Sequence, residues 1–246
     1  SGALTKSGTG TLTLNSANSF GSITHSGGVI SLGNAGALGA GTINWTAAST
    51  LQTSALTSNV TIANAIALSG TGDRTLNMYS AANPGGTNTV ELSGQITGSA
   101  GRLFLNNSAS GSYNPQYIFS NNTNSFTANI QINRGGLQIT SNAALGNLAN
   151  TVTFDSNNGA DLTFLSAMTY TRATVLTSAT DFNTGANAVI ASGVISGVGR
   201  LTKIGAGSLT LSNTNTYSGG TTISAGPASN STITAALIVT NSSALG

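Results

Sequence analysis

The sequence predicts an all-β fold, a parallel β-helix of about ten to twelve coils. Three observations carry that prediction. First, Leu4-Thr5-Lys6-Ser7-Gly8-Thr9-Gly10-Thr11-Leu12-Thr13-Leu14 returns near the other end as Leu201-Thr202-Lys203-Ile204-Gly205-Ala206-Gly207-Ser208-Leu209-Thr210-Leu211, with eight of eleven positions unchanged. Repetition at long period marks stacked units, each covering its apolar face with the next. Second, short runs alternate apolar and polar residues with period two, the pattern of strands with one buried face. Third, only 5% of the 246 residues are charged, so Ser, Thr, Asn and Gly must supply the polar surface. Hydrogen-bonded ladders between stacked coils make such a surface tolerable.

The repeated run belongs to a longer unit. Ser93-Gly94-Gln95-Ile96-Thr97-Gly98-Ser99-Ala100-Gly101-Arg102-Leu103 parallels Ser192-Gly193-Val194-Ile195-Ser196-Gly197-Val198-Gly199-Arg200-Leu201. Anchored on Leu4, Leu103 and Leu201, the intervals are 99 and 98 residues. At roughly 20 to 25 residues per coil, each unit spans about four coils. The chain divides into units at approximately 1–92, 93–191 and 192–246, the last incomplete, in one continuous solenoid read as a cut from a longer chain. The middle unit lacks the Lys-x-Gly-x-Gly stretch and runs Phe104-Leu105-Asn106-Asn107 instead.

Within each unit a polar turn ends in an aromatic, at Asn18-Ser19-Phe20, Asn124-Ser125-Phe126 and Asn215-Thr216-Tyr217. Each leads on to Ala-Leu-Gly, at 37–39, 144–146 and 244–246. Strands are expected at 11–14, 59–62, 63–68, 129–132, 137–140 and 151–154. Leu12, Leu14, Ile130, Ile132, Leu137, Ile139, Val152, Phe154, Leu209 and Leu211 should be buried and their Thr, Gln and Ser neighbours exposed. An antiparallel sandwich would need hairpins and usually ends near 100 to 120 residues, so the β-helix is preferred.

Leu-Thr-Lys-x-Gly-x-Gly-x-Leu-Thr-Leu, followed by Asn215-Thr216-Tyr217-Ser218-Gly219-Gly220-Thr221-Thr222-Ile223 and Ala-Leu-Gly, resembles the passenger-associated strand repeat of bacterial autotransporters. The resemblance is strong over 192–224, good over 4–39 and partial over 92–146. It implies a right-handed parallel β-helix, placed outside the cell or at the bacterial outer-membrane surface. It implies the usual passenger roles of adhesion, aggregation or display of an attached domain. Partners would be neighbouring coils of the same chain, other copies of itself, or cell-surface glycans.

The chemistry-bearing residues are few. Net charge is +2, from seven Lys/Arg against five Asp/Glu, which makes no basic patch and argues against a nucleic-acid partner. Cysteine is absent, and no apolar stretch approaches the ~20 residues of a membrane span. No cofactor or metal is expected: a single His without Cys makes a poor metal site. Asp73, Glu91, Asp155, Asp161 and Asp181 look scattered. Asp155 and Asp161 flank a turn, and Asp73-Arg74 reads as a solvated loop pair. His25 is placed at the surface, and Lys6 and Lys203 are placed in solvent beside glycine corners. Arg102 and Arg200 recur after Gly with structural roles. Tyr113, Tyr117 and Phe119 are taken as a contact loop peculiar to the middle unit, since aromatics on a loop can stack on sugars or anchor a protein. The function expected is a structural or adhesive extracellular segment, a stalk, adhesin or self-associating fibre scaffold, without catalytic residues. The alternatives are a polysaccharide-processing β-helix enzyme, which needs carboxylates converging in a groove, and a passive spacer displaying another domain.

Overall fold

The computed structural model describes residues 1–53, 59–77, 88–106, 115–155, 160–224 and 235–246. The strands run β1 (Ala3–Lys6), β2 (Thr11–Leu14), β3 (Ser22–His25), β4 (Val29–Leu32), β5 (Thr42–Trp45), β6 (Ser49–Gln52), β7 (Val60–Ile62), β8 (Ile66–Leu68), β9 (Arg74–Asn77), β10 (Thr89–Leu92), β11 (Ile96–Asn106), β12 (Gln116–Phe119) and β13 (Thr127–Ile132). They continue with β14 (Gly135–Ile139), β15 (Val152–Phe154), β16 (Ala160–Phe164), β17 (Met168–Tyr170), β18 (Thr174–Leu176), β19 (Thr180–Asn183), β20 (Val189–Ala191), β21 (Ile195–Ser196), β22 (Leu201–Ile204), β23 (Ser208–Leu211), β24 (Thr221–Ile223) and β25 (Ala236–Val239). The helical content among the described residues is one short 3-10 turn, Asn142–Leu145.

The strands form sheets of 13, 8 and 4 members, and the pairings are parallel throughout. A chain can make that pattern only by coiling, because parallel neighbours cannot be joined by hairpins. Strands β1, β3, β5, β8 and the start of β11 stack on a first face. Strands β2, β4, β6, β9, the rest of β11, β13, β15, β18 and β21 stack on a second. Strands β7, β10, β12, β14, β16, β19, β22 and β24 stack on a third, and β17, β20, β23 and β25 form the remaining side of the later turns.

The path β1-β3-β5-β8-β11-β13-β15-β18-β21 climbs about nine turns, fewer than the ten to twelve expected. The reason is uneven turn length. Ile130, Val152, Thr174 and Ile195 stack in one column, so those turns take 22, 22 and 21 residues. Arg74 and Leu103 are also lateral partners, which makes that turn 29 residues. Insertions between strands consume chain without adding a turn.

Inside, one residue in two along each strand points to the axis and meets its counterpart one turn on. Leu105, Ile132, Phe154 and Leu176 form one such column, and Tyr117, Leu137, Leu162 and Phe182 another. All eight are buried, and full burial of such a side chain is worth roughly 1.5–3 kcal/mol. Phe164 packs edge-on against Phe182 and Tyr170, with ring centroids 5.8 and 5.5 Å apart, filling the middle turns with aromatic rings. Of the ten residues expected inside, eight are buried, while Leu12 and Leu14 are half-covered because β2 has a neighbour on one side only. Their polar neighbours are less open than expected: Thr13 is exposed, but Gln131, Gln138, Thr153 and Thr210 are half-buried between the turns above and below. Of the 63–68 segment, Ile66–Leu68 is strand.

The sequence repeat and the structural turn are out of step. Leu4 lies on β1, on the first face; four turns on, through β3, β5, β8 and β11, the chain reaches Leu103 on the second face. From Leu103, four more turns through β13, β15, β18 and β21 bring it to Leu201 on β22, on the third face. Each repeat therefore advances four turns and one face, and successive copies of the same motif occupy successive sides of the solenoid.

Candidate functional surface

The two copies of Leu-Thr-Lys-x-Gly-x-Gly build the same corner. Alternation along β1 puts Lys6 on the inward side with Leu4, and along β22 puts Lys203 inward with Leu201. Neither ammonium is solvated, which corrects the expectation: Lys6 and Lys203 are both buried. Lys6 Nζ donates to the carbonyls of Ser7, Gly8 and Gly27 at 2.8, 3.0 and 3.0 Å. Lys203 Nζ donates to the carbonyls of Ile204 and Gly205 at 2.9 and 2.7 Å. Gly8 and Gly205 have φ of 69° and 86°, the left-handed region where glycine is at ease. Burial pushes the Lys203 pKa down from its ordinary value. These lysines tie corners and are spent on the fold. In the middle unit Leu105 holds the equivalent inward position.

Two arginines and the histidine share this interior. Arg74 is not a solvated partner of Asp73: it is buried on β9, and Nε donates to Trp45 O at 3.1 Å while the guanidinium also reaches the Gly72 and Ser69 carbonyls. Arg172 is likewise buried and donates to the carbonyls of Asn142 and Gly146 at 2.7 and 2.8 Å and to that of Asn147. His25, expected at the surface, is 1% exposed, in register between Lys6 and Trp45, and stacked on the Trp45 ring at 5.6 Å and 15°. Its Nε2 has no hydrogen-bond partner. Desolvation lowers its pKa to about 4; the backbone of Gly28 opposes this, and the charges of Lys6 and Arg74 reinforce it.

The Asn-x-aromatic turn and Ala-Leu-Gly prove to be two halves of one staple. Asn124 Nδ2 donates to Ala144 O at 2.7 Å, and its Oδ1 accepts from Ile96 N at 2.7 Å. Asn215 repeats this with Ala244 O at 2.7 Å and Ile195 N at 2.8 Å, and Asn18 donates to Ala37 O at 2.9 Å. One amide thus links its own turn to its neighbours. The Gly of Ala-Leu-Gly is required by contact as well as by φ. A Cβ on Gly146 (φ 73°) would lie 2.5 Å from Phe126 O. The motif's spacing was visible in the sequence; this pairing was not.

The acids are less scattered than expected. Asp73 pairs with Arg102 at 2.6 Å, both partly exposed, an arrangement worth little in water. Arg102 also reaches Gln131, whose Nε2 donates to Asp155 at 3.0 Å, so a polar ladder runs along the axis. Glu91 accepts from Ser120 at 2.6 Å and Thr61 at 3.3 Å. Asp161 and Asp181, however, are lateral partners on the outer side of the third face. An open groove of about 400 Å³ is lined by Thr9, Val29, Ser49, Thr50, Asp73 and Thr75; its one carboxylate is the one held by Arg102. No group of three or more His, Cys, Asp or Glu that could hold a metal occurs among the described residues. No described helix is long and apolar enough to cross a membrane.

Of the aromatics expected on a contact loop, Tyr113 lies outside the described residues. Tyr117 and Phe119 do not stand on a loop: they are inward positions of β12, both fully buried, and Tyr117 donates to Leu76 O at 3.0 Å. Their alternation with Gln116 and Ile118 is the strand signal that the aromatic cluster obscured.

In a comparison with known families, the passenger-associated-transport-repeat model matches residues 4–38 and 201–226. The two segments similar to this repeat are the ones that hold the lysine corners. No curated protein and no solved structure matches the chain.

Proposed function

We propose that this chain is a structural segment of a bacterial surface or secreted passenger protein, serving as a stalk or a self-associating, adhesive scaffold. One observation carries the proposal: the recurring Lys, Asn and Ala-Leu-Gly positions are committed to holding turns together. Lys6 and Lys203 close corners, Asn18, Asn124 and Asn215 staple adjacent turns, and the Ala-Leu-Gly glycine receives the aromatic. Selection that preserves such a motif preserves length and rigidity. A location outside the cell, a right-handed winding and a division into units at 1–92, 93–191 and 192–246 accord with the passenger repeat.

The catalytic alternative is disfavoured by chemistry at the acids. Asp73, Glu91 and Asp155 are each held by neighbouring donors, and the Asp161 carboxylate is engaged by Gln116 and Thr163. Electron microscopy of the intact protein tests the structural role. Rods whose length grows by about 4.8 Å per turn support it; compact globular particles overturn it. Cell-aggregation assays with and without the protein then separate adhesive scaffold from passive stalk.

A further inference from the structure

We propose that Asp161 and Asp181, with Thr202 beside them, form a site for a divalent cation, Ca²⁺ by the chemistry of its donors. The three residues lie in one outward row of the third face, in the order Gln116, Gly136, Asp161, Asp181, Thr202. Adjacent turns of a parallel stack are about 4.8 Å apart. Two like charges directly opposite across strands repel and destabilise the pair.

The Asp161 carboxylate points to the side of Gly136, opposite Asp181. Asp161 turns its Oδ1 back over Gly136, where a Cβ would lie 2.0 Å from it, and takes hydrogen bonds from Gln116 at 3.2 Å and Thr163 at 3.4 Å. Among the described residues no donor reaches Asp181. Nor does the nearest cation in the register answer it: Lys203, next to Thr202 on β22, points inward to its own carbonyls.

A second and separate observation lies on the other side of Asp181. Thr202 is 7% exposed although it sits on the outward row, and its Oγ1 has no hydrogen-bond partner. A buried hydroxyl left unsatisfied costs about 1–3 kcal/mol unless something comes to meet it. Two carboxylates flanked by a buried, unpaired hydroxyl offer oxygen donors alone, which suits a hard cation that accepts irregular geometry. Ca²⁺ fits that description better than Mg²⁺, which demands near-ideal octahedra. The cation bridges Asp161 and Asp181, and Thr202 Oγ1 hydrogen-bonds to water that it retains. With two charged ligands the affinity falls in the range of extracellular modules, about 10⁻⁴–10⁻³ M.

The test is calorimetric titration of the 246-residue chain with CaCl₂ and with MgCl₂, paired with thermal unfolding followed by circular dichroism at constant ionic strength. One Ca²⁺ should bind, with Mg²⁺ weaker, and 10 mM Ca²⁺ should raise the melting temperature by about 3–10 °C. Asp181→Asn keeps size and shape; it should weaken Ca²⁺ binding at least tenfold and, by removing the repulsion, melt no lower than the parent without Ca²⁺. Thr202→Val should weaken binding by a smaller factor. Absence of binding up to 10 mM Ca²⁺ overturns the proposal, and so does binding that Asp181→Asn leaves unchanged.

Discussion

Acidification should loosen the N-terminal turns through one residue, His25. In the fold its pKa is lowered to about 4, against an ordinary 6.5, chiefly because the ring is taken out of water. The sign follows from which state binds the proton. Below 6.5 the unfolded chain gains a proton that the folded chain refuses, so stability is complete above that value and falls as the pH drops toward 4. With these two values the loss between pH 7 and pH 5 is about 2 kcal/mol, and about 3 kcal/mol by pH 4. The protonated ring would lie in register with Lys6 and near Arg74, two buried cations, and the Gly28 and Gly27 backbone offsets only part of that cost. The assay is built in. Trp45 is the only tryptophan, is 1% exposed, and stacks on His25, so its fluorescence reports this corner. Denaturant unfolding followed at Trp45 at pH 7 and pH 5 should show the 2 kcal/mol loss in the parent. His25→Phe keeps an aromatic ring against Trp45 and should lose that dependence. Equal pH dependence in parent and variant would refute the assignment.

Two further predictions concern the staple. Asn124→Ala leaves Ile96 N and Ala144 O buried without their partner; at about 1–3 kcal/mol for each, urea unfolding should show a loss of about 2–6 kcal/mol, and a loss under 1 kcal/mol would mean that the turns hold without the amide. Gly146→Ala places a Cβ 2.5 Å from Phe126 O at a φ of 73°, whereas a Cβ at Gly10 meets nothing within 4 Å. The first variant should lower the thermal midpoint by several degrees and Gly10→Ala should leave it nearly unmoved; similar midpoints would show that the turn relaxes at little cost.

What the sequence made legible was what depends on neighbours along the chain. Strand, turn and strand followed from period two and glycine punctuation, and the inward residues of β13 to β15 were read correctly because their alternation is clean. The same parity already placed the buried cations. In Leu4-Thr5-Lys6, Arg74-Thr75-Leu76 and Leu201-Thr202-Lys203 each cation shares a side with a leucine, and in Ile23-Thr24-His25 the histidine shares one with an isoleucine. The general rarity of buried charge outweighed that local pattern. What made burial possible was the supply of inward carbonyls at corners, which only the folded path reveals. Lateral neighbours were beyond reach for a different reason. They depend on the length of each turn, which varies from 18 residues between Thr11 and Val29 to 30 between Ile66 and Ile96.

The offset between repeat and turn has a physical consequence. Were the 98-residue unit a whole number of turns, every lysine corner would fall on one side, and so would every asparagine staple, leaving the other sides to hold by packing alone. With one extra face per unit, the staples of Asn18, Asn124 and Asn215 and the corners of Lys6 and Lys203 are distributed around the axis. A solenoid is stabilised by its nearest-neighbour interfaces, so it fails where one side opens first. Rotation of the motif from face to face places one staple on each of three sides, so none of these three sides lacks one. It also means that a surface feature fixed within the repeat faces a different direction in each copy, so a contact made through the repeat would be offered around the rod and not along one edge.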